Sequence, residues 1–185
     1  MEEQQTPQYK PIKIESLSKT GLKASQEKNI RKQILESIPI LENGLLDRIW
    51  PKKANFQMAK QKPHNIVYFI NNEPCFLQPK EGPIIPHIKL LHKYPCLLPM
   101  CQVDKGGIKH VISGANIMIP GMTSKGGKLP QGKIHGGVVA VYCEGKENAL
   151  AIGKMTMGVA DMERIGKGIG IEVLTYVGDD SWNVK

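Results

Sequence analysis

The sequence predicts an α+β protein: a small mixed helix-and-strand unit followed by a small β pseudo-barrel with short helices. Three observations carry this. A helical stripe of isoleucines precedes a β-rich run in the first half. After Pro95 the chain breaks into many short apolar runs separated by glycine-containing turns. At 185 residues and 41% hydrophobic content, there is enough chain for one medium domain or two small ones. The units are expected at 1–91 and 92–185.

Residues 1–15 read as a mobile lead-in or an edge strand, since Pro7, Pro11 and the alternating Ile12/Ile14 oppose a helix. From Ser25, Ile30, Ile34 and Ile38 stand four apart with Leu35 beside them, which predicts one apolar helix face ended by Pro39. Leu45, Leu46 and Ile49 predict a second short helix closed by Trp50-Pro51. Lys52, Lys53, Lys60 and Lys62 then flank a polar segment, read as a solvated loop or a secondary RNA contact. Ile66–Ile70, the Asn71-Asn72-Glu73 turn and Cys75–Leu77 predict a hairpin. Ile88–Lys93 reads as a short helix.

In the second unit, Leu97–Val103 reads as a strand and Asp104 as the N-cap of a helix over 105–112, with Gly114 just past its end. Asn116–Ile119 reads as a strand broken by Pro120-Gly121, and 122–133 as a polar glycine loop. Val138–Cys143 and Ala149–Met155 are strands joined by a turn, Val159–Ile165 is a short helix, and Ile169–Val177 a last strand.

Charge points to the ligand. The net charge is +8, spread over both halves. From Lys105 to Cys143 no Asp or Glu occurs, while the same stretch holds five lysines (Lys105, Lys109, Lys125, Lys128, Lys133) and nine glycines. Unneutralised amines beside glycine-rich backbone favour phosphate, so a nucleic-acid surface is expected. Lys105 and Lys109 lie four apart on one side of the expected helix. Aromatic residues make up only 5%, which argues against a base-stacking sheet of the ribonucleoprotein or cold-shock type.

Other chemistry is poorly supported. The four cysteines (Cys75, Cys96, Cys101, Cys143) lack C-x-x-C spacing, and the polar start and lack of long apolar runs predict a reduced cytoplasmic setting without a membrane. His87, His92, Cys96 and Cys101 lack the tight ligand knuckle of zinc sites, so no metal or other cofactor is expected. The 121–133 loop misses the Walker A register, because Leu129 follows Lys128 where Ser or Thr is needed. No G-x-S-x-G elbow is present, and Asp179-Asp180 reads as a solvated turn before Trp182. No catalytic residues are expected.

Ser113-Gly114-Ala115-Asn116-Ile117-Met118-Ile119-Pro120-Gly121 resembles the central motif of the PUA domain, a small RNA-binding pseudo-barrel. His92-Lys93-Tyr94-Pro95, Gln102–Gly106 and Lys167–Glu172 resemble the malignant T-cell-amplified sequence family, and Asn72-Glu73, Glu81-Gly82-Pro83 and Leu90-Leu91 fit its pre-PUA domain. The resemblance implies a pre-PUA plus PUA architecture. It also implies a non-enzymatic translation factor that binds the small ribosomal subunit and a density-regulated-protein partner, acting in recycling, reinitiation or non-standard initiation. The expected RNA-facing set is Lys105, Gly106, Lys109, Gly114, Ala115, Asn116, Pro120 and Gly121, with Lys125, Lys128 and Lys133 on the loop and Lys52 and Lys53 as a second contact. Small-subunit rRNA and the tRNA acceptor arm are the expected RNAs. Asn116 is left between meeting a base edge and capping a turn. The rival reading is a small RNA-modifying enzyme, or an accessory, that uses its PUA module to dock substrate.

Overall fold

The computed structural model describes residues 18–61, 65–80, 82–132, 134 and 137–183. The expected lead-in at 1–15 and the candidates Lys62 and Lys133 lie outside the described residues. The α+β class is borne out: two five-stranded sheets carry six short α-helices among the described residues.

The first sheet runs in sequence order and is antiparallel throughout: β1 (Thr20–Gly21), β2 (Phe56–Gln61), β3 (Asn65–Ile70), β4 (Glu73–Gln78) and β5 (Ile85–Pro86). Helix α1 (Ala24–Ser37) buries Ile30 and Ile34 in the core with Ile38 at its exit, as the four-residue spacing requires. Helix α2 (Leu45–Ile49) hands the chain to Trp50, which stacks on Phe56 with ring centroids 3.8 Å apart. Arg31 braces this corner, donating to the Trp50 carbonyl at 2.7 Å and pairing with Asp47 at 2.8 Å. The hairpin turns on Asn71 and Asn72, both at positive φ, which asparagine tolerates better than most residues. Helix α3 (Ile88–Lys93) closes the unit.

The polar segment after Lys53 is a correction. It forms β2 rather than a loop, with Phe56 and Ala59 buried against β3. Its lysine and glutamines masked a strand lacking β-branched residues.

The second sheet has the order β6-β8-β9-β10-β7 and curls into a half-barrel. It comprises β6 (Met100–Val103), β7 (Ile117–Met118), β8 (Val138–Cys143), β9 (Ala151–Met155) and β10 (Ile169–Tyr176). Only β6 and β8 pair in parallel; the other neighbours are antiparallel. Leu97 falls in a 3-10 turn, so β6 starts later than expected. Helix α4 (Ile108–Val111) continues a 3-10 turn over Lys105–Gly107, and α6 (Val159–Ile165) has the expected bounds.

β7 ends at Met118, ahead of Pro120-Gly121 as expected, but the pair does not interrupt regular structure. Both residues sit in helix α5 (Ile119–Thr123), where proline in the first turn lacks only an N–H that had no partner to find. Nor is 122–133 a free loop at its start. Met122 is buried, and Gln102 and Lys128 exchange backbone hydrogen bonds at 2.8 and 2.9 Å.

Strand β8 is buried on both faces. Val139, Val141 and Cys143 belong to the half-barrel's own core, while Val138 and Ala140 join the core of the first unit, as period-two alternation dictates. Polar contacts reinforce this seam. His87 donates from Nε2 to the Ser181 carbonyl at 2.9 Å, and His92 Nε2 bonds the Ala149 carbonyl at 2.8 Å. Asp179 is not a solvated turn. It is buried and accepts from the Thr175 and Ser181 hydroxyls and from the Tyr176 and Trp182 amides.

Candidate nucleic-acid interface

The candidate interface is built on the junction from β6 through α4 to β7. Asp104 sets it up as the expected N-cap: its side chain accepts from Gly107 N–H at 2.9 Å and from the Ser124 hydroxyl. These bonds, the serine's first, hold the Asp104 carboxyl below its ordinary pKa. Lys105, Lys109 and His110 are thereby displayed on the exposed side of the turn and helix, while Val111 anchors the other side in the core.

Gly114 ends α4 in the left-handed region at φ +76°. A Cβ there would lie 2.4 Å from Cε1 of Tyr176, so packing against the barrel accounts for the glycine. Asn116 lies just before β7, outside the strand expected to include it, and reaches β10 through its side chain alone. Its Oδ1 accepts from Val173 N–H at 3.1 Å, which fixes the amide and leaves the two Nδ2 hydrogens without a partner among the described residues. The pattern then alternates: Ile117 and Ile119 are buried and Met118 between them is 48% exposed.

A concavity of about 410 Å³ opens at this junction. It brings together Gly106, Ala115, Asn116 and Gly121 from the expected set, with Gly107, His110 and Met118 added. Lys105 and Lys109 are not part of its lining; they neighbour the lining residues Gly106 and His110 in sequence, in the 3-10 turn and α4. Pro120 is exposed in the first turn of α5. Lys125 is exposed on the turn that Ser124 ties to Asp104. Lys128 lines a separate depression together with Glu163. Lys52 and Lys53 are exposed between α2 and β2, in the other unit.

The acid-free stretch of sequence is not acid-free in space. Glu144 folds back so that its carboxylate accepts from Lys105 N–H at 3.3 Å and packs over Gly126. Even so, Lys105, Lys109, Lys125 and Lys128 form no ion pair among the described residues. Their charge is thus available to a ligand, in a field weakened locally by Glu144 and Glu163. The zinc alternative finds no support in the arrangement: both His87 and His92 spend Nε2 on backbone carbonyls, and Cys101 is buried in the half-barrel core.

Sequence reasoning missed Gly107, Met118 and Glu144. The Ile-Met-Ile alternation could have flagged Met118 as outward-facing. No local signal marks Glu144, whose position depends on the long-range pairing of β6 with β8.

Two family models match the chain: a Pre-PUA-like domain over residues 10–95 and "elF2D, PUA domain" over residues 98–180. The molecule is therefore a two-unit PUA-domain protein. It is 46% identical over 164 residues to Malignant T-cell-amplified sequence 2 of Mus musculus, covering 89% of this chain and 90% of that one. It is 40% identical over 168 residues to Translation machinery-associated protein 20 of Eremothecium gossypii, covering 90% and 92%. A hypothetical protein of Pyrococcus horikoshii has the same fold at a TM-score of 0.68 and 22% identity, covering 90% of this chain and 99% of that one. The chain belongs to the malignant T-cell-amplified sequence family. No helix among the described residues is long and apolar enough to cross a membrane.

Proposed function

We propose that this protein is a non-enzymatic, RNA-binding translation factor. Family membership and the PUA-type second unit support a translation-related role in RNA binding. The single observation that carries the reading is the pair Lys105 and Lys109, exposed, without ion-pair partners among the described residues, and next in sequence to Gly106 and His110, which line the concavity. Such amines act as point charges toward phosphate, and the released counterions drive association. The backbone at Gly106 and Gly121 permits close approach of a polyanion.

In finer terms, the second unit grips phosphate backbone of small-subunit rRNA or the acceptor arm of a tRNA. Lys125, Lys128 and Lys133 extend that contact, and the first unit adds Lys52 and Lys53 and holds a density-regulated-protein partner. The protein then acts in the cytoplasm in recycling, reinitiation or non-standard initiation.

The test is a sucrose-gradient profile of the tagged full-length chain from cell extract, with and without nuclease, beside the Lys105→Ala/Lys109→Ala variant. Comigration of the wild type with the small subunit, lost in the variant, is expected. A wild-type profile confined to the top of the gradient overturns the reading.

A further inference from the structure

The lysines of the second unit share their surface with carboxylates, and one of these contributes little to holding the fold. Asp104 is engaged as a cap by Gly107 N–H and the Ser124 hydroxyl. Glu144 is different. It is half-buried, accepts one long hydrogen bond from Lys105 N–H at 3.3 Å, and forms no ion pair among the described residues. Yet its place is reserved. Glu144 N–H donates to the Val103 carbonyl at 2.8 Å, and the carboxylate lies against Gly126, where a Cβ would sit 2.3 Å from Oε2 and 2.5 Å from Cδ. Gly126 is itself anchored, since its carbonyl accepts from Gln102 Nε2 at 2.7 Å. Any side chain at 126 would evict the carboxylate. Neither Glu144 nor Gly126 lines the concavity at the β6–α4–β7 junction.

A backbone N–H, a bare glycine, and Lys105 and Lys125 on either side of them in the chain are the elements of a phosphate cradle. Here the protein's own anion stands in it. A carboxylate only accepts hydrogen bonds, so it repels phosphate and tolerates a donor such as a ribose 2′-hydroxyl or an exocyclic amine. A ligand that offers only regularly spaced phosphate meets that repulsion in every register. A folded RNA whose shape places a donor there does not.

We propose that Glu144 is a specificity-determining counter-charge. Its carboxylate excludes phosphate from the place between Lys105 N–H and Gly126, and so weakens the hold of the basic face on arbitrary RNA more than its hold on the small ribosomal subunit. The proposal rests on the RNA-binding reading above and deepens it: the lysines attract any polyanion, and Glu144 sets which one stays.

The experiment compares full-length wild type, Glu144→Gln and Glu147→Gln at one salt concentration. Affinity is measured for a labelled RNA duplex of arbitrary sequence, by fluorescence anisotropy, and for purified small ribosomal subunits, by displacement of that duplex. Glutamine keeps an acceptor for Lys105 N–H and the shape over Gly126, so only the charge changes. Glu144→Gln is expected to bind the duplex about fivefold more tightly, the effect of one unit charge a few ångströms away in a solvent-screened site. Its affinity for the subunit should change little, so the preference for the subunit falls by about the same factor. Glu144→Ala removes the same charge without an amide and should match it. Glu147→Gln, at an exposed position in the same turn, is expected to leave both affinities near wild type. Unchanged duplex binding in both Glu144 variants, an equal gain for duplex and subunit, or the same gain from Glu147→Gln overturns the proposal and leaves lysine-directed RNA binding standing. Wild type that does not bind the subunit overturns the parent reading, and this one with it.

Discussion

His87 is expected to make the protein acid-labile by a definable amount. The ring is fully buried. Nδ1 accepts from Lys89 N–H at 3.2 Å, so that nitrogen carries no proton and Nε2–H donates to Ser181. Burial is the main cause that pushes the imidazole from 6.5 down to about 4; Lys89 and His92 press the same way, and the Ser181 carbonyl and Asp179 oppose them. The sign follows from proton counts. Between about 4 and 6.5 the unfolded chain holds a proton on this ring that the folded chain does not. Stability from the neutral ring is therefore fully present above 6.5 and is lost as pH falls toward 4. A difference of about 2.5 units at 1.36 kcal/mol each corresponds to about 3 kcal/mol. Carboxylates titrate in the same range, so the assay must be differential. Urea unfolding of wild type and His87→Asn, which retains a capping acceptor for α3, is measured at intervals from pH 7 to pH 4. Wild type is expected to lose about 3 kcal/mol more than the variant across that range. Parallel stability curves would refute the reasoning.

Three further outcomes are expected. Lys105→Ala/Lys109→Ala should weaken RNA binding and reduce the slope of log affinity against log salt by about 2, with an unchanged melting temperature; an unaltered slope removes these residues from the contact. Gly114→Ala should cost about 1–3 kcal/mol in denaturant unfolding, because a Cβ would meet Tyr176 in a left-handed backbone conformation; a neutral result contradicts the close approach. Asp179→Ala should cost about 3 kcal/mol or more, since two hydroxyls and two amides lose a shared acceptor; a thermal melt within a degree of wild type would show that water replaces it.

What could be read in the sequence was local. The isoleucine stripe of α1, the Asn71-Asn72 hairpin and the bounds of α6 follow from spacing and turn chemistry, and all appear in the fold. Asp104 as a helix cap was legible for the same reason. Strand β2 was not, because its lysine and glutamines obscure the apolar positions, and Phe56 and Ala59 are buried only once β2 pairs with β3. Asp179 was hidden because its partners are drawn together only by the final turn after β10. At the candidate site, charge marked Lys105 and Lys109, but Glu144 arrives through long-range pairing, and the half-used amide of Asn116 exists only once Val173 lies beside it.

The doubly covered strand β8 has a consequence for how this chain can be handled. Val138, Ala140, Ala149 and Ile152 are sealed by residues from the other half, so excising the C-terminal module alone would lay bare an oily strip along its back. Melting should then be all-or-none for the intact molecule, and an isolated fragment should clump. The partnership of the halves is structural before it is functional, and grafting either one elsewhere would require repainting that strip with polar groups.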